Sequence, residues 1–393
     1  MHRKKPERQN NTEEETMFFR TAAAAMLGYT ALAGSFAHAE GYEGVPRTYL
    51  FNPAIETCFK DTSAYKKEGP YTIGFSNAGL GDSWRVVMQH SMQRQAAEKR
   101  DQIAHLIMTD AGHDDAKQAA DIQDLLAQGV DLLIVSANTA QALDPAVSQA
   151  MAQGIPVVMV DRRVSSDNFV TFVTASDAVM GRVYAQWIVE KLGGKGNVVM
   201  LGGQAGSSVS ADREKVAKEV FAQYPGIKVL DTVYADWSPV KGKEVMQAMI
   251  TKYGKDINAV WVAHGLMTAG SIQAFIDAGF KDGEIPLHTN ADVNGGLQLA
   301  VQHDVPLVEV GYPPAMGGVA LDVALQVLQG APVPCTYTIN AQIGVTKGDE
   351  TASVKADKFV EDMVIMDGAP DMLITGGMGP DYDPSTYTVD YPK

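Results

Sequence analysis

From Tyr71 onward, short apolar runs alternate with longer stretches whose apolar positions recur every three or four residues. The runs Tyr71–Ser76, Ile103–Thr109, Leu132–Ser136, Val157–Asp161 and Val170–Thr174 read as strands. Each of the first three is followed by a stretch of helical period: Ser83–Lys99, Asp114–Gln128 and Gln141–Gln153. Short, continuously apolar strands separated by helices predict a parallel sheet covered on both faces.

The rhythm then starts again. Helices are predicted over Asp177–Lys191, Ser210–Gln223, Val240–Tyr253, Thr268–Ala278, Gly295–His303 and Ala315–Gln329. Between them lie strands Val198–Leu201, Val229–Tyr234, Ala259–Val262, Leu287–Ala291 and Leu307–Val310. Two successive doubly wound sets predict two similar α/β lobes. Residues 40–70, with Pro46, Pro53 and Gly69, read as an arm. From about Thr346 the chain is loop-like, with one helical candidate at Ala352–Asp362, and reads as a tail wrapping one lobe.

Composition narrows the function. The chain has 393 residues, 46% of them hydrophobic, enough for two real cores. A net charge of -15 disfavours nucleic acid and anionic membrane surfaces as partners. The beginning carries an address: Arg20, an Ala-rich apolar run from Thr21 to Phe36, then Ala37-His38-Ala39. That is the order of a signal peptide with cleavage after Ala39, and the run is too short for a membrane span. A start at Met17 would give a more ordinary leader, so the residues before it read as a mis-assigned start. With no cysteine near Ala39 there is no lipid-anchoring site, and a soluble exported protein is expected, in the periplasm of a two-membrane bacterium. Cys58 and Cys335 permit one disulfide or two free thiols.

Ligands of open α/β sheets lie beyond the carboxyl ends of the strands, so the chemistry is sought there. After the first strand stands Asn77-Ala78-Gly79-Leu80-Gly81-Asp82-Ser83-Trp84-Arg85. A dinucleotide loop would need a third glycine where Trp84 stands. An indole there suits the C–H face of a sugar ring, with Asn77, Asp82 and Arg85 as polar partners; the alternative is a core Trp84 and a solvated Arg85. Asp161 and Arg162 end the fourth strand, where a carboxylate and a guanidinium can hold neighbouring hydroxyls; the alternative is a hinge ion pair. Gly202-Gly203 precede a helix whose first turn carries Arg213, which could instead pair with Asp212 or Glu214.

The segment Thr72–Arg85, the Asp161-Arg162 pair, the turn Ala211-Asp212-Arg213 and the run Ala259–Gly270 resemble the type I periplasmic sugar-binding proteins, notably the ribose-, xylose- and galactofuranose-binding members. The resemblance spans about Tyr71 to Ile343. It implies two Rossmann-like lobes joined by a three-segment hinge, hinge closure on a monosaccharide or polyol, and delivery by a monomer to an ABC permease of the inner membrane. It places the first lobe at 71–175 plus 312–332 and the second at 176–311 plus 333–345. It puts Trp84, Arg85, Asp161 and Arg162 on the ligand from the first lobe, and Arg213 and Asp292 from the second. Two departures stand out. The family's Phe-Asp-Gly is Asn290-Ala291-Asp292-Val293 here, and its Asn-Asp pair is His264-Gly265. His264 can replace one lost partner, since each ring nitrogen donates or accepts, or it can merely satisfy backbone.

Rival classes find less support. No metal-ligand spacing of His or Cys, no Gly-x-Ser-x-Gly elbow and no phosphate loop occurs in the sequence, so neither an enzyme nor a cofactor is expected. His113-Asp114-Asp115 opens a helix, where Asp is an ordinary cap. A sensor-type binding protein that presents a sugar-like signal to a receptor would share every feature above.

Overall fold

The computed structural model describes residues 58–339 and 341–374. The leader, the expected cleavage after Ala39, most of the arm and residues 375–393 lie outside them. The described chain opens with β1 (Phe59–Lys60), then β2 (Tyr71–Asn77), α1 (Ser83–Glu98), β3 (Ile103–Asp110), α2 (Asp115–Ala127), β4 (Leu132–Ser136), α3 (Ala140–Ala152), β5 (Val157–Val160) and β6 (Thr171–Ala175). A second set follows: α4 (Asp177–Lys191), β7 (Lys195–Gly202), α5 (Ser208–Ala222), β8 (Gly226–Tyr234), α6 (Pro239–Tyr253), β9 (Ala259–Val262), α7 (Gly265–Asp277), β10 (Leu287–Asn290), α8 (Asn294–Gln302) and β11 (Leu307–Val310). Last come α9 (Met316–Leu328), β12 (Val333–Pro334), β13 (Thr336–Ile339), β14 (Ile343–Val345), β15 (Lys358–Phe359) and α10 (Val360–Met363).

The strands form two main sheets, ordered β13-β6-β5-β4-β2-β3 and β15-β14-β11-β10-β9-β7-β8. In each lobe the first strand lies between the second and third, so the winding reverses beside it. That reversal opens a crevice at the strand ends. The chain passes between the lobes after β6, after β11 and after β13, which gives the three-segment hinge.

Local chemistry explains why the elements fall where they do. Asp82 caps α1 by accepting from the Arg85 N–H, and Ser176 caps α4 by accepting from Val179. Along α4, Met180, Tyr184, Trp187 and Ile188 return to one face and are buried. In the first lobe, Ile122, Leu125, Leu143 and Val147 of α2 and α3 pack on Leu133, Val135, Val157 and Met159 of the sheet. Burial of each such side chain contributes about 1.5–3 kcal/mol.

Two expectations are overturned, and one open alternative is decided. Residues 333–345 were assigned to the second lobe, but β13 pairs in parallel with β6 (Phe172 opposite Thr336), so the last crossing falls after Ile339. Pro334 and Cys335 break the apolar pattern there, and the strand exists only through its neighbour. The helix expected at Ala352–Asp362 is confined to α10, because the preceding backbone is drawn into pairing: Asp357 accepts from Ile343 N–H, and Lys358 lies opposite Gly344. Finally, the question left open for the cysteines is settled: Cys58 and Cys335 form a disulfide beside the β1–β12 ladder.

Candidate functional site

The crevice between the lobes holds a cavity. The first lobe contributes Asp82, Trp84, Arg85, Asp161 and Arg162, the second Val209, Arg213, Trp237, His264 and Leu266, and the hinge Tyr312. Sequence reasoning named seven of these eleven residues. Asn77 stands one layer behind Arg85, and Asp292 lies fully buried next to His264.

The first-lobe wall is built around one carboxylate. Val160 ends β5, and Asp161 then turns into the left-handed region at φ 60°. That turn aims its carboxylate back at the first strand. Arg85, buried on the first turn of α1, donates Nη2 to Asp161 Oδ2 at 2.7 Å. Its Nη1 reaches Asn77 Oδ1 at 2.8 Å, and Ser136 Oγ donates to Asp161 at 3.1 Å. Arg162 Nε lies 3.6 Å from the same carboxylate, and the guanidinium stacks against Trp237 at 5.6 Å. Burial, with Arg85 close by, pulls Arg162 down to about 9, so it remains a cation at neutral pH. The hinge ion pair weighed as an alternative for Asp161 is therefore present, and it faces the cavity. Trp84 is also both things at once: it is 4% exposed, donates Nε1 to the Tyr312 carbonyl at 2.7 Å, and still lines the cavity. Gly79 packs against His113: a Cβ there would lie 2.5 Å from His113 Nε2.

The second-lobe wall repeats this plan with a different outcome. Asp292 follows the fourth strand of its lobe, as Asp161 does, at φ 62°. Arg213 follows the first strand of its lobe, as Arg85 does. Yet Arg213 Nε turns to Asp177 Oδ1 at 2.8 Å and Nη1 to the Ala263 carbonyl at 2.6 Å. Among the described residues its Nη2 has no hydrogen-bond partner, and neither has Asp292 Oδ2, although both are buried. Asp292 Oδ1 accepts the Tyr312 N–H at 2.8 Å, and its own N–H goes to Glu309 Oε1 at 2.6 Å. Burial drives Asp292 up to about 8 and Glu309 likewise to about 8, the two carboxyls opposing each other's ionisation.

His264 caps α7, accepting the Leu266 N–H on Nδ1 at 3.3 Å. In the neutral ring the proton then sits on Nε2, which points at Asp292 Oδ2 from 3.6 Å. Burial, reinforced by Arg213, holds His264 down at about 3, so it stays neutral. Its backbone-satisfying role and a cavity-facing role coexist on the two nitrogens.

Four cavity residues were not expected from the sequence: the apolar Val209 and Leu266, and the aromatic Trp237 and Tyr312. Trp237 lies just past β8, with φ 59°, its ring pressed on Gly203 where a Cβ would be 2.0 Å away. Its place after a strand was a usable signal. Tyr312 lies in a hinge crossing and touches both lobes: its hydroxyl meets Thr174 Oγ1 at 3.0 Å, and its ring covers the Arg213 guanidinium at 4.3 Å. Its place just past β11 is the same local signal, but its reach across the hinge is not visible in the sequence. The rim is closed by cross-lobe contacts: Arg163 Nη2 to Asp212 at 2.9 Å, Arg162 Nη1 to Gln204 Oε1 at 2.9 Å, and Ala140 N–H to the Gly206 carbonyl at 3.0 Å.

A family model described as a periplasmic binding protein domain matches residues 73–332. The galactofuranose-binding protein YtfQ of Escherichia coli K12 is 32% identical over 259 residues, spanning 64% of this chain and 80% of that protein. Among solved structures, the fructose-binding periplasmic domain of a hybrid two-component system superposes with a TM-score of 0.65 at 29% identity, covering 71% of this chain and 92% of that one. A galactofuranose-binding protein does so with a TM-score of 0.64 at 30% identity, covering 70% and 94%.

Proposed function

The chain belongs to the periplasmic binding protein family, and on that premise we propose that it captures a monosaccharide or sugar alcohol and hands it to an ABC-type importer. The observation that carries the ligand class is a pair of polar atoms unpartnered among the described residues: Nη2 of Arg213, which lines the cavity beside Trp84, and Oδ2 of Asp292, buried next to the cavity residue His264. A buried donor or acceptor left unsatisfied costs about 1–3 kcal/mol. A ligand hydroxyl, which donates and accepts together, relieves both at once. Charge points the same way. Arg85 faces Asp161 and Arg213 faces Asp177, while Asp82 stands near Arg162, so the wall is balanced and favours a neutral ligand.

The ligand docks on the first lobe, whose polar groups are already fixed, and closure brings Arg213, His264 and Asp292 onto its remaining hydroxyls. Wrong epimers leave one of these groups unpaired in a dry site. The protein acts as a soluble periplasmic monomer. The test is a thermal-shift screen with pentoses, hexoses and polyols, followed by calorimetry. A ligand at about 100 times its Kd adds roughly 2.7 kcal/mol of stability. Trp84→Ala is expected to weaken the identified ligand by about 10–100-fold; unchanged affinity would move the site elsewhere. Likeness to the sensor domain above favours one second reading, signal presentation to a receptor. A deletion strain that keeps uptake but loses a transcriptional response to the sugar would support it.

A further inference from the structure

We propose that the C-terminal segment 364–374 belongs to the binding machinery: it straps the loop bearing Asp292 and thereby sets the second lobe's affinity for ligand. The affinity half of this rests on the reading above. The segment lies outside the stretch matched by the family, 73–332.

The geometry is specific. Helix α8 begins directly after the Asp292 turn, and its cap residue, Val293, offers no side-chain acceptor. The first N–H groups of a helix need partners from elsewhere. Here the segment supplies them: Asn294 N–H donates to the Met372 carbonyl at 2.9 Å and Gly295 N–H to the Pro370 carbonyl at 2.7 Å. Ile374 N–H donates to the carbonyl of Asp292 itself at 2.7 Å, beside a β-bridge between Val293 and Leu373. A Cβ on Gly295 would stand 2.9 Å from the Pro370 oxygen, so the approach needs a glycine.

Two amides, one turn apart on α8, grip the start of the segment. Asn294 Nδ2 donates to Ile365 O at 2.8 Å and Ala369 O at 3.3 Å, while its Oδ1 accepts Ile365 N–H at 2.9 Å. Gln298 Nε2 lies within reach of the carbonyls of Ile365, Met366 and Gly368 at 2.9, 3.1 and 2.8 Å. Asp161, the counterpart of Asp292, is held by Arg85 and Ser136 of its own lobe. Among the described residues no cationic side chain is hydrogen-bonded to Asp292; Glu309, Asn290 and Tyr312 hold one side of its left-handed turn, and this strap holds the other.

The test uses the full chain with Gln298→Met, which keeps bulk and removes the donor, and a second variant ending at Met363. Amide exchange is followed at Asn294 and Gly295 without ligand. It is expected to quicken by about tenfold or more in Gln298→Met, with the first-lobe amides of β4 and β5 unchanged. Among D-galactose, D-ribose, L-arabinose, xylitol and myo-inositol, whichever binds the parent is expected to bind Gln298→Met about 5–20-fold more weakly. A folded Gln298→Met with parental affinity overturns the proposal even if its Tm drops, since Gln298 is then merely structural. Should no probe bind the parent, the sugar reading falls, while unchanged exchange at Asn294 and Gly295 would still overturn the strap.

Discussion

The two lobes use one plan for two purposes. Each puts an arginine after its first strand and an aspartate, in a left-handed turn, after its fourth. In the first lobe arginine and aspartate meet, and a serine and an asparagine complete the set. In the second lobe the arginine is drawn away to Asp177, and a guanidinium nitrogen and a carboxylate oxygen are left open. The difference teaches a division of labour. A wall whose charges are mutually satisfied is rigid before the ligand arrives. A wall with open valences gains only when ligand is enclosed, and that differential gain is what drives closure.

The comparison can be broken by exchanging the same atoms on both sides. Asp161→Asn leaves Arg85 and Arg162 without their counter-charge in a buried site, and about 3–5 kcal/mol of stability should be lost in urea unfolding. Asp292→Asn should cost under about 1 kcal/mol there, because the altered oxygen has no partner to lose. Its effect belongs to binding: calorimetry should show the ligand weakened by about 10–100-fold. Equal stability losses in the two variants would end the distinction between the walls.

The pH response of the unliganded protein sharpens the point. His264, held at about 3, and His288, held at about 4, are neutral in the fold but titrate near 6.5 when unfolded. Their contribution to stability therefore rises with pH and is largely complete by about pH 6.5. Asp292 and Glu309, raised to about 8, bind protons in the fold that the unfolded chain has already released. Their contribution is lost as pH climbs towards 8. Above pH 6.5 the loss outweighs what is left of the histidine gain, and Asp177, raised to about 7, adds to it, so Tm should fall by a few degrees between pH 6.5 and 8. In Asp292→Asn the fall should be shallower; an identical slope would mean that other groups carry it. The smallest change is expected at the rim. Arg163 and Asp212 are each about one-third exposed, so Arg163→Ala should cost under about 1 kcal/mol and speed ligand release by at most about fivefold in stopped flow.

The alternation of strands and helices was legible because both signals are local: apolar runs for strands, three-to-four spacing for helices. Element boundaries from Tyr71 to Gln329 moved by at most three residues. What was not legible depends on contacts made at long range. Strand β13 reads as a loop because Pro334 and Cys335 precede it, and β6 gives it an identity. At the cavity, looking just past each strand found Trp84, Arg85, Asp161, Arg162, Arg213 and His264, and the same rule applied to β8 would have found Trp237. Tyr312 follows β11 too, but its importance comes from where the hinge puts it, between Thr174 and Arg213. The open valences of Arg213 and Asp292 were invisible as well, since only the folded molecule decides which partner a guanidinium takes.

The Cys58–Cys335 bond spans 277 residues of sequence. As a chain is made from its amino end, the second lobe's strands β7 to β11 come as one unbroken stretch, and β14 and β15 are added to that sheet at the end. The first lobe is different: it starts earlier but still lacks α9, β13 and the partner thiol. The first lobe thus waits for segments made after the second lobe's five-strand stretch, and Cys58 cannot reach its partner until Cys335 has emerged. Long-range closures of this kind are slow to form and expose apolar edges meanwhile. The unclosed edge of β6, which β13 later covers, is then the surface most in need of shielding during biogenesis.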